Sequence, residues 1–276
     1  MPDYTYRPMT AADVPAAHAL SVALKWPHRA QDWAMLQSVA DGFVALDNGR
    51  VIGSAFACHQ GAWSTIGLVI VSDDYQGHGI GRRLMDLALA SIGPRTALLN
   101  ATVAGAPLYR KMGFVEFGHI QQRQGTVGAL TAPATPGRGL TAADHPRMSA
   151  LASAATGLAR GSVMQAVFAD IEQAVGIDVD GQLQAFAVLR PFGRGRCIGP
   201  VVAGSAEQAQ GLIEHLLAQV PDAFVRIDIP VGCGLEGFLD SVGLPGVDTV
   251  TCMSRGEIPR PSGDARAFAL VTQAIG

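Results

Sequence analysis

Gln76-Gly77-His78-Gly79-Ile80-Gly81-Arg82 is the stretch of this chain whose residue types and spacing most directly suggest chemistry. It follows an apolar run, Ile66 to Val71, and precedes a helical pattern carrying Leu84, Met85, Leu87, Ala88 and Leu89. Strand, glycine-rich turn and helix form an anion-binding arrangement. Glycine lets a backbone approach a ligand closely and adopt positive φ. The turn's amides and the helix N-terminus then aim fixed partial positive charge at an anion. Arg82 and Arg83 in the first helical turn oppose the helix dipole, which favours acidic residues there. A bound phosphate explains them, so the stretch predicts a ligand that carries phosphate.

The rest of the composition narrows the class. The chain has 276 residues, 49% hydrophobic and 16% charged, enough for a sizeable core and two domains. The formal net charge of -3, with basic residues scattered, gives no case for nucleic acid. No apolar window approaches the roughly 18 residues of a membrane span. Met1 to Thr10 carries Asp3, Arg7 and two prolines, unlike a secretory signal. Cys58, Cys197, Cys233 and Cys252 lie far apart, which fits free thiols in a reducing cytoplasm, and nothing has zinc-ligand spacing. No metal is expected.

Two halves of the chain echo each other at an offset of about 130 residues. Thr10-Ala11-Ala12-Asp13-Val14-Pro15 matches Thr141-Ala142-Ala143-Asp144-His145-Pro146, each a capped helix start. Phe43 to Leu46, a turn at Asn48-Gly49, and Val51 to Cys58 predict a hairpin, matched by Ala174 to Val179, Asp180-Gly181 and Leu183 to Leu189. Ile66 to Val71 matches Ile198 to Ala203, and the helical pattern Gly81 to Ser91 matches Ala206 to Gln219. Leu108-Tyr109 through Gly113-Phe114 matches Phe238-Leu239 through Gly243-Leu244. The Gly-, Pro- and Thr-rich segment 125–139 reads as a linker, dividing the chain into 1–124 and 140–276. The phosphate loop does not recur, and Leu239 stands where the first copy has Tyr109.

The first half resembles the GCN5-related N-acetyltransferase (GNAT) fold. The resemblance rests on Gln76, Gly79 and Gly81 after an apolar strand, and on Asn100 followed by Ala106-Pro107-Leu108-Tyr109 and Gly113-Phe114. It covers about residues 4–124. The second half is similar to the degenerate acetyltransferase-like domain at the C-terminus of some bacterial tandem members, on Ile227-Asp228-Ile229-Pro230 and Met253-Ser254-Arg255-Gly256. The resemblance implies an α/β fold of the α+β type: two tandem GNAT folds, each a mixed, mostly antiparallel sheet splayed between its fourth and fifth strands and flanked by helices. It implies acetyl-CoA as cosubstrate, threaded through the splay. Amides of Gln76, Gly77, His78, Gly79, Ile80, Gly81 and Arg82 would hold the pyrophosphate. Main-chain groups of Val69 and Val71 would bind the pantetheine like an added strand, with Asn100 across the splay.

Acetyl transfer to an amine needs a neutral nucleophile, alignment, a stabilised oxyanion and protonation of the departing thiolate. Tyr109, an acid of pKa about 10, is the expected proton donor. A backbone amide of Ile66–Val71 would bind the oxyanion. Many relatives carry an acid on this strand, and this chain has none there. His28, Asp32 and His59 are the alternatives for the base, or the amine arrives neutral. Trp26, His28 and Asp32 lie in the segment that covers the acceptor pocket in this fold. Asp228 shares a strand face with Arg226, where it either anchors a cationic acceptor or pairs with that arginine at the surface.

The reading is therefore a cytoplasmic acyltransferase that moves acetyl directly to a small amine in a ternary complex, as a monomer or homodimer. The alternatives are another acyl-CoA or an O-acceptor, or a non-catalytic CoA-binding sensor.

Overall fold

A computed structural model describes residues 4–130 and 137–276. The first half comprises β1 (Thr5–Pro8), α1 (Val14–Ala23), α2 (Ala30–Val39), β2 (Asp41–Asp47), β3 (Arg50–Gln60), β4 (Trp63–Val71), α3 (Ile80–Ile92), β5 (Thr96–Ala101), α4 (Ala106–Lys111) and β6 (Val115–Thr126). The second comprises β7 (Arg138–Gly139), α5 (His145–Thr156), α6 (Gly161–Phe168), β8 (Gln173–Val179), β9 (Gln182–Phe192), β10 (Gly195–Ala203), α7 (Ala206–Ala218), β11 (Phe224–Pro230), α8 (Glu236–Ser241), β12 (Gly246–Arg255) and β13 (Arg266–Ala269). The expected echo is present element by element. Residues 131–136 of the expected linker lie outside the described residues; its two ends belong to β6 and β7.

Local chemistry explains the elements. Asn48 (φ 48°) and Gly49 (φ 84°) make the left-handed two-residue turn between β2 and β3, and Asp180 (φ 51°) and Gly181 (φ 74°) repeat it. The α3 helix buries Ile80, Leu84, Met85, Ala88 and Ile92, one helical stripe, against β2, β3 and β4. Each large side chain of that stripe contributes roughly 1.5–3 kcal/mol by leaving water. The α7 helix repeats the arrangement in the second half with Ala209, Leu212, Ile213, Leu216 and Leu217.

The strands form one sheet in the order β1-β2-β3-β4-β5-β12-β6-β11-β10-β9-β8-β7, with β13 added against β10. All neighbours are antiparallel except β4–β5 and β10–β11. The halves exchange their late strands: β12 pairs with β5 of the first half, and β6 pairs with β11 of the second. The divide expected at residues 124/125 thus falls within β6. Each half of the sheet is completed by a strand from the other, so both packing and the sites between the halves depend on the whole chain.

Both parallel pairs stop short. Only Trp63–Ile66 of β4 pair with Thr96–Leu99 of β5, and only Arg196–Ile198 of β10 pair with Val225–Ile227 of β11. Beyond those points the strands separate. This is the expected splay, and it occurs twice.

Candidate active site

In the first half the splay opens a cleft of about 580 Å³. Val69 and Val71 of β4, the glycine loop, and Tyr109 of α4 line it, with Leu24 and Trp26 closing one side. The loop has the geometry an anion requires. Gly79 caps α3 with φ 78°, and a Cβ built on Gly77 or Gly79 meets no heavy atom within 4 Å. A side chain at Gly79 would therefore be strained, and it would fill the cradle. Among the described residues no main-chain carbonyl accepts from the amides of residues 77–82, while the next amide, Arg83 N, bonds Gly79 O at 3.0 Å. Those donors are the unpartnered helix-start amides that bind phosphates elsewhere. Arg82 is exposed beside them with a 3.4 Å contact to Asp86. Gln76 turns back to Asp73 (2.8 Å), and His78 stacks edge-on to Tyr4, so both contribute main chain rather than side chain to the cradle.

β4 carries a bulge at the mouth of the splay. Gly67 pairs with Phe56 and Ile70 with Ser54, leaving Leu68 and Val69 opposite Ala55 alone. Leu68 has φ 48°, uncommon for leucine and strained. The buried Ser54 hydroxyl donates to Leu68 O at 2.9 Å and holds it there. Such a bulge turns backbone groups out of the ladder toward the cleft. Ser54 was not singled out in the sequence, although a lone hydroxyl within the apolar run Val51 to Cys58 is the signal for it.

Tyr109 is almost buried, and its ring lies against Gly105, where even a Cβ would come within 2.9 Å of it. Burial pushes the phenol up to about 12. It stays protonated throughout the neutral range, the state a hydrogen-bond donor needs. Its hydroxyl has no protein partner among the described hydrogen bonds.

A second, smaller cavity of about 110 Å³ lies between the halves. Trp26 and Thr102 line both spaces. Asn100, expected beside the pantetheine, lines this cavity and not the cleft; its amide donates to Gln273 O at 2.9 Å. His28 also lines it, with Nδ1 buried and without a partner, while His18 Nε2 donates to the His28 carbonyl at 2.8 Å.

Asp32 lines neither space. Its carboxylate caps α2 through Arg29 N (2.7 Å) and pairs with Arg29 (2.8 Å), which reaches on to Asp170 of the second half at 3.0 Å. His59 is held between Asp41 and Ser64, away from both spaces. Asp228 is buried rather than at the surface, paired with Arg226 (2.8 Å) and accepting from Gln273 Nε2 (3.1 Å). Trp63 donates to Glu257 O at 2.8 Å, a packing contact between the halves.

Burial, reinforced by the charge of Arg226 and opposed by Asp32, pushes His28 down to about 4, with His18 and Arg190 acting in the same sense as Arg226. The unfolded imidazole titrates near 6.5. Between those values the unfolded chain binds the extra proton, so stability falls as pH drops from about 6.5 to 4. The expected loss is up to about 3 kcal/mol at 1.36 kcal/mol per pKa unit. Denaturant midpoints measured at pH 7 and pH 4.5 check it: His28→Gln should flatten the difference, and an unchanged slope would remove the buried neutral histidine.

The second half keeps the splay and a bulge in β10, but lacks the open loop, the tyrosine and the open strand edge of the first site. Ser205 and Gln208 cap α7 themselves, with Gln208 N donating to Ser205 Oγ (3.3 Å) and Gly204 N to Gln208 Oε1 (3.0 Å). Leu239 is fully buried in place of the tyrosine. Most directly, β13 pairs with Val201, Val202 and Ala203, the residues equivalent to Val69, Ile70 and Val71. The edge left open in the first half is filled here by the chain itself. Sequence reading had no means of seeing this, because β13 lies about 60 residues downstream of the strand it covers.

A splayed sheet, a bulged fourth strand, a glycine loop at a helix start and an inward tyrosine define an acyl-CoA-type transferase site, and the comparisons agree. Models of the acetyltransferase (GNAT) domain match residues 39–116 and, separately, 148–269. A protein of Bacillus subtilis described as an uncharacterized N-acetyltransferase is 30% identical over 226 residues, 78% of each chain. The chain belongs to the GNAT family as a tandem member, and it is an acyltransferase. A putative acetyltransferase from Pyrococcus horikoshii has a similar structure at TM-score 0.77 and 17% identity, covering 99% of this chain and 96% of that one. A tandem GNAT protein of the clavulanic acid biosynthesis pathway aligns at TM-score 0.60 and 16% identity, over 95% and 100% of the two chains. At such identities the two structures speak for the fold alone. No helix among the described residues is long and apolar enough to cross a membrane.

Proposed function

We propose that the chain is an acetyl-CoA-dependent N-acetyltransferase that acts on a small amine, with one working site, in the first half. The observation that carries this is the open β4 edge. Val69 and Val71, the phosphate cradle and the Tyr109 phenol share one cleft, and the matching edge of β10 is closed by β13. Acetyl-CoA supplies the activated acetyl group as a thioester. The amides of residues 77–82 receive its pyrophosphate, and the edge of β4 its pantetheine. The bulge at Leu68–Val69 directs a backbone amide at the charge that develops on the carbonyl oxygen. Tyr109 donates to the departing sulfur. The acceptor enters from the smaller cavity and meets the thioester near Trp26 and Thr102.

Transfer is direct. Cys58 and Cys252 are buried and both pushed up to about 11 by burial, so neither supplies a thiolate for an acyl-enzyme.

Calorimetric titration with acetyl-CoA tests the reading. One site per chain is expected. In Gly79→Val, affinity should fall at least tenfold: a left-handed non-glycine residue costs about 1–2 kcal/mol, and the side chain occupies the cradle. Two sites would contradict the role given to β13, and none would remove the reading altogether.

A further inference from the structure

The smaller cavity carries more information than its position. Arg190 of β9, Cys197 of β10 and Arg226 of β11 are register neighbours, which puts two guanidiniums in one row across the sheet. Both lie 5.3 Å from the centroid of the Phe192 ring. Arg190 is fully buried, yet only its Nη2 finds an acceptor, Val271 O at 2.6 Å; Nε and Nη1 have none. Arg226 spends Nε and Nη2 on Asp228, and its Nη1 donates to no protein group. The row therefore holds two cations against one carboxylate: Arg226 lines the cavity, and Arg190 is buried behind it, outside the lining. Asp248, the acid in the lining, is exposed and accepts from Thr249 N, so it does not cancel the buried charge. A buried guanidinium with unused donors is costly unless an anion or acceptor completes it.

We infer that the acceptor is a small amino acid, its carboxylate received at the free Nη1 of Arg226, with the buried Arg190 adding positive charge from behind, and its amine directed at the thioester past Trp26 and Thr102. This rests on the acetyltransferase reading of the neighbouring cleft. Three features on the page fit that class. The cavity holds only a few heavy atoms. Its free cationic donor is Nη1 of Arg226, and a guanidinium N–H makes a charge-assisted hydrogen bond to a carboxylate. A plain alkylammonium is repelled by the surplus positive charge, whereas a zwitterion compensates it.

The test uses matched pairs that differ only by the carboxylate: glycine and methylamine, alanine and ethylamine, phenylalanine and phenethylamine. Thiol release with acetyl-CoA gives kcat/KM, and calorimetry without acetyl-CoA gives binding of each probe. The amino acid should exceed its decarboxylated partner at least tenfold in one or both measurements. The preference should shrink in Arg226→Lys, which keeps the charge but loses the fork, and in Arg190→Met, which removes the orphaned donors without opening a void. Because the wild-type pairs decide the question, misfolding of either variant leaves it answerable. Equal or better performance by the plain amines overturns the inference, as does failure of every amino acid to bind. Equal binding of sodium chloride reduces the row to a non-selective anion site and also overturns it. Wild-type acetyl-CoA binding is measured in parallel. Its loss would remove the transferase reading, while the carboxylate result would still report on the cavity.

Discussion

Tyr109→Phe is expected to lower kcat by about 10²-fold or more, within the usual range for a positioned acid, and to leave acetyl-CoA affinity within a factor of two or so. The expectation comes from where the phenol sits. Its ring is packed against Gly105 and, at 6.0 Å between centroids, Phe114, so the substitution removes an oxygen and little else. The groups proposed to receive the pyrophosphate and pantetheine are main-chain groups of residues 77–82 and of β4, which the change does not touch. An interaction made mainly as the sulfur departs shows in kcat and not in ground-state binding. With its pKa pushed up to about 12, Tyr109 should give no alkaline limb of its own below about pH 10. Steady-state rates from pH 6 to 10, with calorimetric binding of both proteins, measure all of this. An unchanged kcat, or equal losses in rate and affinity, would take the acid role away from Tyr109.

The second large effect concerns the segment Val271–Gly276, which the structure ties into the centre of the molecule. A chain ending at Leu270 is expected to keep its acetyl-CoA site and to lose both stability and acceptor turnover. Three contacts set the size. Arg160, a buried guanidinium, bonds Ile275 O and Gly276 O, both at 2.6 Å, and Gln60 Nε2 bonds Ile275 O at 3.0 Å. Val271 and Ile275 are almost fully buried. Thr272, Gln273 and Ala274 form one wall of the smaller cavity, the proposed acceptor site. Two aliphatic side chains at roughly 1.5–3 kcal/mol each, with a buried cation left only Gln60 Oε1 as acceptor, give about 5 kcal/mol or more. At about 2–4 °C per kcal/mol for a chain of this size, the melting temperature should fall by at least about 10 °C.

Gly67→Ala approaches the same contact from the other side. Its Cβ would sit 2.7 Å from the Cα and O of Ala274, so strand or segment must move. This milder variant should fold, bind acetyl-CoA and raise the KM for the acceptor. Thermal melts and acceptor saturation curves check both proteins. A truncated chain with full acceptor turnover would mean that the segment is no part of the site.

Much of the first site was legible because it is local. Strand, turn and helix follow one another within residues 66–92, and the glycines that build the cradle are adjacent in the chain. Tyr109 was legible for the same reason, lying on a short helix stopped by Gly113 (φ 86°). The duplication was readable because hairpin turns and helix caps are written in neighbouring residues. The limits were also physical. The resemblance puts Asn100 beside the pantetheine, but its neighbours in space are Gln273 and, across the ladder, Cys252. Asp228 was read as a strand-face carboxylate, whereas its environment is set by Arg226 and Gln273 inside the interface. Asp32 looked like a pocket residue because it sits near Trp26 and His28, and its oxygens are taken up by its own helix start.

The sequence alone determined that this chain carries one pattern of elements twice, and that only the first copy has the glycine-rich turn at a helix start. Those properties arise from periodicity, caps and turns, whose energetics act over a few residues. Tertiary structure decided the rest. It exchanged β6 and β12 between the halves, filled the second splay with β13, and brought Arg226, His28 and Gln273 around one cavity. Each of these joins residues separated by tens to hundreds of positions, where pairing depends on which edges and faces the folded sheet leaves open. No local pattern records that choice.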